Sequence, residues 1–237
     1  MNKRRLCIAD IHGGYKALKQ VFERANVDYQ NDKLICLGDT CDAWPQIEDC
    51  FNELFKFKDL VYIIGNHDEW AREYYTTGKE SYGWYKQGGK ATLEAFGDFI
   101  PVDILFLLNK APAYHIEDNM IFVHGGFDTH YPIEEQDRMN LIWEREMIHK
   151  ANHKLVMHQR HGHPAKISKY DKIFIGHTPT LNYGSSKPIV SCELHMIDTG
   201  ASYDGPLTLV DIDTDEYWQS DPVCSFYTGI KSRGHRR

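Results

Sequence analysis

Along its first third the chain alternates short apolar runs with stretches of helical spacing. Residues 6–9, 34–37 and 60–64 are apolar runs of strand length. Between them, residues 15–25 place Leu18, Val21, Phe22 and Ala25 on one helical face, and residues 47–57 place Ile47, Phe51, Leu54 and Phe55 on another. The order βαβαβ predicts a sheet with crossover helices.

The rest of the chain follows a different rhythm. Residues 69–77 and 89–96 predict helices joined by a Gly- and Tyr-rich connection. Residues 114–116 and 120–123 predict a hairpin that turns at Glu117-Asp118-Asn119. Residues 133–158 predict a long helical region broken once. Strands return at 172–175, 189–190, 194–197 and 207–212. Strands at both ends with helices between predict an α/β fold of two packed sheets covered by helices. No repeat or linker divides the chain. It reads as a single domain over residues 1–228 and a basic tail over 229–237.

With 237 residues, 42% hydrophobic and 26% charged, the chain can bury a large core without disulfides or a structural metal. Its 27 basic and 34 acidic side chains argue against a partner such as duplex nucleic acid. The tail concentrates Lys231, Arg233, Arg236 and Arg237 with no acid; it reads as a frayed, solvated terminus, with an anion- or partner-binding tail as the sharper alternative. No segment reaches the ~18 apolar residues of a membrane span, and the start lacks a signal-peptide pattern. The six cysteines form no C-x-x-C pair and read as reduced thiols. Together these features predict a cytoplasmic protein with no membrane partner.

The chemistry lies where the apolar runs stop. They lead into Asp10-Ile11-His12, Gly38-Asp39-Thr40-Cys41-Asp42, Gly65-Asn66-His67-Asp68, His124-Gly125-Gly126 and Gly176-His177-Thr178-Pro179. At strand spacing, Asp10 and His12 point to the same face. Ligands of open α/β sheets gather at the carboxyl ends of strands, so five such ends predict one site. Mixed nitrogen and oxygen donors suit Mn, Fe, Zn or Co better than Ca. The donors exceed what one ion needs and suit two ions sharing a carboxylate, an arrangement fitted to in-line displacement at phosphorus. Each motif alone is weak; the ordered set is strong.

This ordered set resembles the calcineurin-like metallophosphoesterases, whose motifs D-x-H, G-D-x-x-D, G-N-H-[DE], a lone His and G-H-x-[HP] match residues 10 to 179. The phosphoprotein-phosphatase branch is the most similar, including small bacterial and phage serine/threonine phosphatases and diadenosine tetraphosphatases. Trp143-Glu144-Arg145-Glu146 and Ile197-Asp198-Thr199-Gly200-Ala201 also fit that branch. The resemblance implies a central β-sandwich flanked by helices. It implies one ion on Asp10, His12 and Asp39 and a second on Asp39, Asn66, His124 and His177, with Mn favoured and Fe, Zn, Co or Ni as alternatives. His67 would be the general acid, Asp42 its orienting partner, and Arg145 a phosphate-gripping residue. Without the resemblance, Arg145 reads as a surface residue paired with Glu144 or Glu146.

The implied activity is hydrolysis of phosphomonoesters, favouring phosphoserine or phosphothreonine in proteins over small phosphoesters, by in-line attack of a metal-bridging hydroxide. A dinucleoside polyphosphate hydrolase is the alternative, and a non-catalytic metal-bound binding protein a minor one. Ala43-Trp44 replaces the Arg-Gly that follows G-D-x-x-D in the branch, and Ile64 replaces an arginine before G-N-H. Arg72 is a candidate to fill the gap, and Trp44 to stack on a ring or base. Two weaker signals remain. His149, His153, His158, His161 and His163 crowd one region and read as a solvated helix and loop. Trp70, Tyr74, Tyr75, Tyr82, Trp84 and Tyr85 fit a substrate groove and a core cover equally well.

Overall fold

The structure is a computed structural model, described here over residues 3–162 and 165–231. His163 and the tail residues Arg233, Arg236 and Arg237 lie outside the described residues. Among those described, strands β1 (Arg5–Ile8), β2 (Lys33–Cys36), β3 (Asp59–Tyr62), β9 (Thr208–Asp211) and β10 (Tyr217–Gln219) form one sheet in the order β10-β9-β1-β2-β3. Strands β4 (Tyr114–Glu117), β5 (Met120–Val123), β6 (Lys172–Ile175), β7 (Ile189–Ser191) and β8 (Leu194–Met196) form the second, in the order β4-β5-β6-β8-β7. Pairing is parallel at β1-β2-β3 and β5-β6-β8, and antiparallel at the margins, so both sheets are mixed.

Three apolar layers hold the sheets. Cys7, Ile35, Phe122, Phe174 and Val210 fill the space between them, where the rings of Phe122 and Phe174 stack at 5.2 Å. Their strand neighbours face the other way. Leu6, Ile8 and Leu34 pack under helices α1 (Tyr15–Arg24) and α2 (Ile47–Leu54). Ile121, Val123, Ile173 and Ile175 pack with Met147, Ile148 and Ala151 of α7 (Met147–His161). Burial on both faces explains why these strands read as unbroken apolar runs.

Four elements differ from expectation. Helix α3 (Asn66–Thr77) begins three residues early, so Asn66 and His67 occupy its first turn. Asp68 allows this by accepting the Gly65 amide at 3.2 Å, next to the positive end of the helix. Helix α4 (Gly89–Phe96) stands as expected, but α5 (Val102–Lys110) follows it unannounced. Ile104 and Leu108 are buried in α5 while Val102 and Phe106 are exposed, so its apolar residues cover no single face. The region 133–158 is broken twice, into a 3₁₀ turn (Ile133–Glu135), α6 (Arg138–Trp143) and α7. Asp137 starts α6 by accepting the Met139 amide, and the Glu144 carboxylate starts α7 by accepting the amides of Glu146 and Met147. Finally, three-residue β10 is too short and polar to announce itself.

Candidate active site

The carboxyl ends of β1, β2, β3, β5 and β6 meet, and the chain leaves them in tight, interlocked loops. The Asp10 amide donates to Gly38, the His12 amide to Asp39 and the Gly176 amide to His124, all through carbonyl oxygens at 2.9–3.1 Å. Asp10 (φ 56°), His12 (51°), Asp39 (54°), Asp42 (73°) and His177 (63°) all adopt left-handed backbone. That conformation is unfavourable for residues with a Cβ and persists where surrounding structure enforces it, commonly at functional sites. Asp10 and His12 therefore converge through loop geometry rather than strand alternation. At Gly65 and Gly176 a Cβ would fall about 2 Å from the carboxylates of Asp39 and Asp10, so only glycine lets the backbone pass there.

Side-chain donors gather around Asp39. Nε2 of His12 lies 3.6 Å from Asp39 Oδ2 and 3.8 Å from Asp10 Oδ1. Nε2 of His124 lies 3.3 Å from Asp39 Oδ2 and 3.0 Å from Asn66 Oδ1. The Nδ1 atoms of both rings face backbone carbonyls, at Cys41 (2.9 Å) and Leu37 (2.7 Å). A carbonyl accepts, so each Nδ1 donates, and this turns each Nε2 toward the carboxylates. The candidate ligand atoms of His12, Asp39 and His67 lie within 4.8 Å of one another, as do those of Asp39, His124 and His177. Asp39 belongs to both groups. Nε2 of His177 is buried with no hydrogen-bond partner among the described residues. A buried imidazole nitrogen left this way needs a partner, and a divalent cation supplies one.

The electrostatics agree with that fit. Burial and Asp198 push Asp10 well above the usual carboxylate range. Burial pushes Asp198 itself up to about 6. Burial also acts against ionised Asp39, but His124 and His67 outweigh it and hold Asp39 well below the usual range. His177 is driven well down by burial, His124 and Arg145, so its ring is neutral and its lone pair free. Burial opposes charge on His124, but Asp39 and Asp10 raise its imidazole to about 9, so a cation held there would have to displace its proton. Carboxylates crowded in a low-dielectric pocket with imidazoles form a donor set that transition-metal cations would stabilise.

His67 is also paired with Asp42, with Nδ1 and Oδ2 2.5 Å apart. Asp42 is fully buried and held on its other edges by Trp84 Nε1 at 2.9 Å and Thr92 Oγ1 at 2.5 Å. Burial raises its carboxyl to about 7. Asp68 is an organiser to which the sequence reading gave no role. Its carboxylate accepts the amides of Asp39 (2.7 Å), Thr40 (3.0 Å), Cys41 (3.1 Å) and Gly65 (3.2 Å) and the Tyr62 hydroxyl (2.8 Å). It thereby locks the Asp39 loop to the first turn of α3.

Asp10, His12, Asp39, Asn66, His67 and His177 line a cavity of about 450 Å³. His124 and Asp42 are fully buried and do not line it. Asp198 joins the lining, an acid whose placement the sequence reading did not single out. Arg145 also lines it, from the loop between α6 and α7. Its guanidinium donates to the His177 carbonyl at 3.1 Å and to Thr178 Oγ1 at 3.2 Å, which displaces the expectation of a surface pair with Glu144 or Glu146.

Two candidates fall away. Trp44 is fully buried, donates Nε1 to the Ala201 carbonyl at 2.8 Å and stacks on Tyr227, so it presents no face to a substrate. Arg72 is held by Glu69 and does not line the cavity. The six aromatics of the 70–85 region do not line it either; Trp70 and Trp84 are core, with Tyr74 and Tyr75 packed against it. His149, His153, His158 and His161 are exposed along α7.

The chain matches the calcineurin-like phosphoesterase family over residues 3–181. It is 25% identical over 216 residues to serine/threonine-protein phosphatase 1 of Salmonella typhimurium, covering 86% of this chain and 90% of that protein. It is 27% identical over 161 residues to the symmetrical bis(5'-nucleosyl)-tetraphosphatase of Methylobacillus flagellatus, covering 67% of this chain and 56% of that protein. In structure it is similar to a metallophosphoesterase from Sphaerobacter thermophilus, with a TM-score of 0.59 at 18% identity over 92% of this chain and 89% of that one. That family uses pairs of divalent metal ions to hydrolyse phosphoesters, and the donor groups around Asp39 are candidates to hold such a pair. With the match spanning most of its length, the chain belongs to the calcineurin-like phosphoesterases.

Proposed function

We propose that this protein is a phosphomonoesterase whose substrates are phosphoserine and phosphothreonine in proteins. The reading rests on one juxtaposition: two donor groups share Asp39, one of them includes His67, which is paired with Asp42, and they meet at a cavity that Arg145 also lines. Asp10, His12 and Asp39 would hold one divalent cation, and Asp39, Asn66, His124 and His177 a second, with Mn favoured. When bound, such cations supply Lewis acidity to phosphoryl oxygens and acidify the attacking water. The protein's own groups do the rest. Arg145 offers a planar fork for two phosphoryl oxygens. Asp42 fixes Nδ1 of His67 and leaves Nε2 to protonate the departing oxygen. Asp68 keeps the Asp39 loop in register with His67 throughout. The relative aligned over most of both lengths is itself named a serine/threonine-protein phosphatase, which supports this substrate class.

A second reading, hydrolysis of dinucleoside polyphosphates, draws on Trp143 and Tyr203. These aromatic side chains line the cavity and offer surfaces on which a base could stack. Phosphorus NMR on Mn-loaded protein, offered a phosphothreonine peptide together with diadenosine tetraphosphate, separates the two. Phosphate released from the peptide, with the dinucleotide intact, is the expected result. ADP, or ATP plus AMP, appearing instead would replace it with the second reading.

A further inference from the structure

Resting on the reading of this cavity as a phosphate site, we propose that Lys86 is a second phosphate-binding cation, working with Arg145. The cavity lining carries three acids, Asp10, Asp39 and Asp198, and among the described residues Arg145 and Lys86 are its two lysine or arginine side chains. A phosphoryl dianion entering among three carboxylates gains from every cation that reaches it. Arg145 already donates to the His177 carbonyl and Thr178. Lys86 has no ion pair among the described residues.

Its backbone is not left to chance. Lys86 lies in a 3₁₀ turn (Tyr85–Gln87) anchored at both ends to the Asp42 segment. On one side the fully buried Trp84 indole donates to Asp42. On the other, the Gly88 carbonyl accepts the Ala43 amide at 3.2 Å. The segment 84–88 therefore sits against position 43, where the chain carries alanine and no charge. Gln87 lines the cavity beside it. The same anchoring orients the general-acid pair and delivers an ammonium to the cavity it faces. An ammonium on a flexible stem also tolerates more substrate orientations than a second guanidinium fork would.

The test compares Lys86→Ala, Lys86→Arg and, as a control on the neighbouring helix, Lys90→Ala, all as Mn-loaded full-length protein. Two readouts are taken: KM and kcat on p-nitrophenyl phosphate, and the calorimetric Kd for inorganic phosphate. Lys86→Ala is expected to raise both KM and the phosphate Kd about tenfold with kcat changed much less. Lys86→Arg should recover most of the loss, and Lys90→Ala should match wild type. KM and Kd within twofold of wild type in Lys86→Ala would overturn the inference while leaving the phosphatase reading intact. Failure of wild type to bind phosphate would also overturn it. Lys86-dependent phosphate binding without hydrolysis of any phosphoester would keep the inference and remove the phosphatase reading.

Discussion

At the amino ends of the central strands, charges close the sandwich. Arg5 on β1 reaches Glu117 at 3.1 Å and Asp118 at 2.6 Å across the sheets, and pairs with Asp213 beyond β9. Lys33 on β2 pairs with the same Glu117, and Lys172 on β6 with Asp215 at 2.7 Å. At the carboxyl ends of the 4-residue strands β1 and β2, acid faces acid around Asp10, Asp39 and Asp198, and His177 Nε2 has no hydrogen-bond partner among the described residues. Burial pushes Glu117 up, but hydrogen bonds from Lys33, His115 and Arg5 outweigh it and bring the carboxyl down to about 2. Asp10 moves the other way. One end spends its charges on cohesion, and the other keeps them unbalanced for a ligand. Stability and function are thus separated along the strand axis, which makes each open to mutation without the other.

The sharpest break comes at Asp10. Asp10→Asn keeps an acceptor for the His177 amide, which now lies 3.0 Å from Oδ2, but removes a buried charge. Hydrolysis should fall on the order of a thousandfold or more. The thermal midpoint of metal-free protein should hold or rise, because the lost charge was opposed by burial and Asp198. A large drop in the metal-free midpoint would show that the acids stabilise the fold after all.

Next is His67→Asn. Loss of a general acid should lower kcat by about 10² to 10⁴ on an alkyl phosphomonoester, while metal content by atomic emission stays unchanged. The loss should shrink on p-nitrophenyl phosphate, whose leaving group needs little protonation. Full activity on the alkyl ester would remove His67 from the acid role.

The smallest effect is expected at the other end. Glu117→Gln should leave turnover intact and cost roughly 1–3 kcal/mol in urea unfolding at neutral pH, the range allowing for partial solvent exposure. The sign follows from the depressed carboxyl. Its contribution is fully present above its unfolded value of about 4.5 and is lost as pH falls through about 2. Wild type and variant should therefore differ at neutral pH and converge on acidification. A difference that grew toward low pH would reverse the assignment.

Legibility in the sequence followed burial. Strands β1, β2, β5 and β6 were visible because both faces are buried, and β3 because its apolar run, like theirs, ends abruptly at Gly65-Asn66-His67. The candidate donors stood out for the same reason. Helix α5 was hidden because Phe106 and Val102 face solvent while Ile104 and Leu108 face inward. Asp68 stood in plain view beside His67, but its partners are backbone amides up to 29 positions away, and amides carry no signature in sequence. Trp44 misled because an aromatic next to the place of a phosphate-binding arginine invites a ligand role; its stacking on Tyr227, near the far end of the chain, was not readable. The turn carrying Lys86 is set by Trp84 and Gly88 contacts that no periodicity reports.

The hydrogen bond from the His177 amide to Asp10 spans 167 positions. During synthesis at about 5–20 residues per second, Asp10 emerges roughly 8–30 s before the segment that completes its surroundings. For most of that interval the chain carries Asp10 without His124, and for all of it without His177. The centre is therefore complete only once both sheets have been synthesised, late in translation or after release. A nascent chain halted before residue 177 would carry Asp10 and Asp39 but lack both His177 and Asp198.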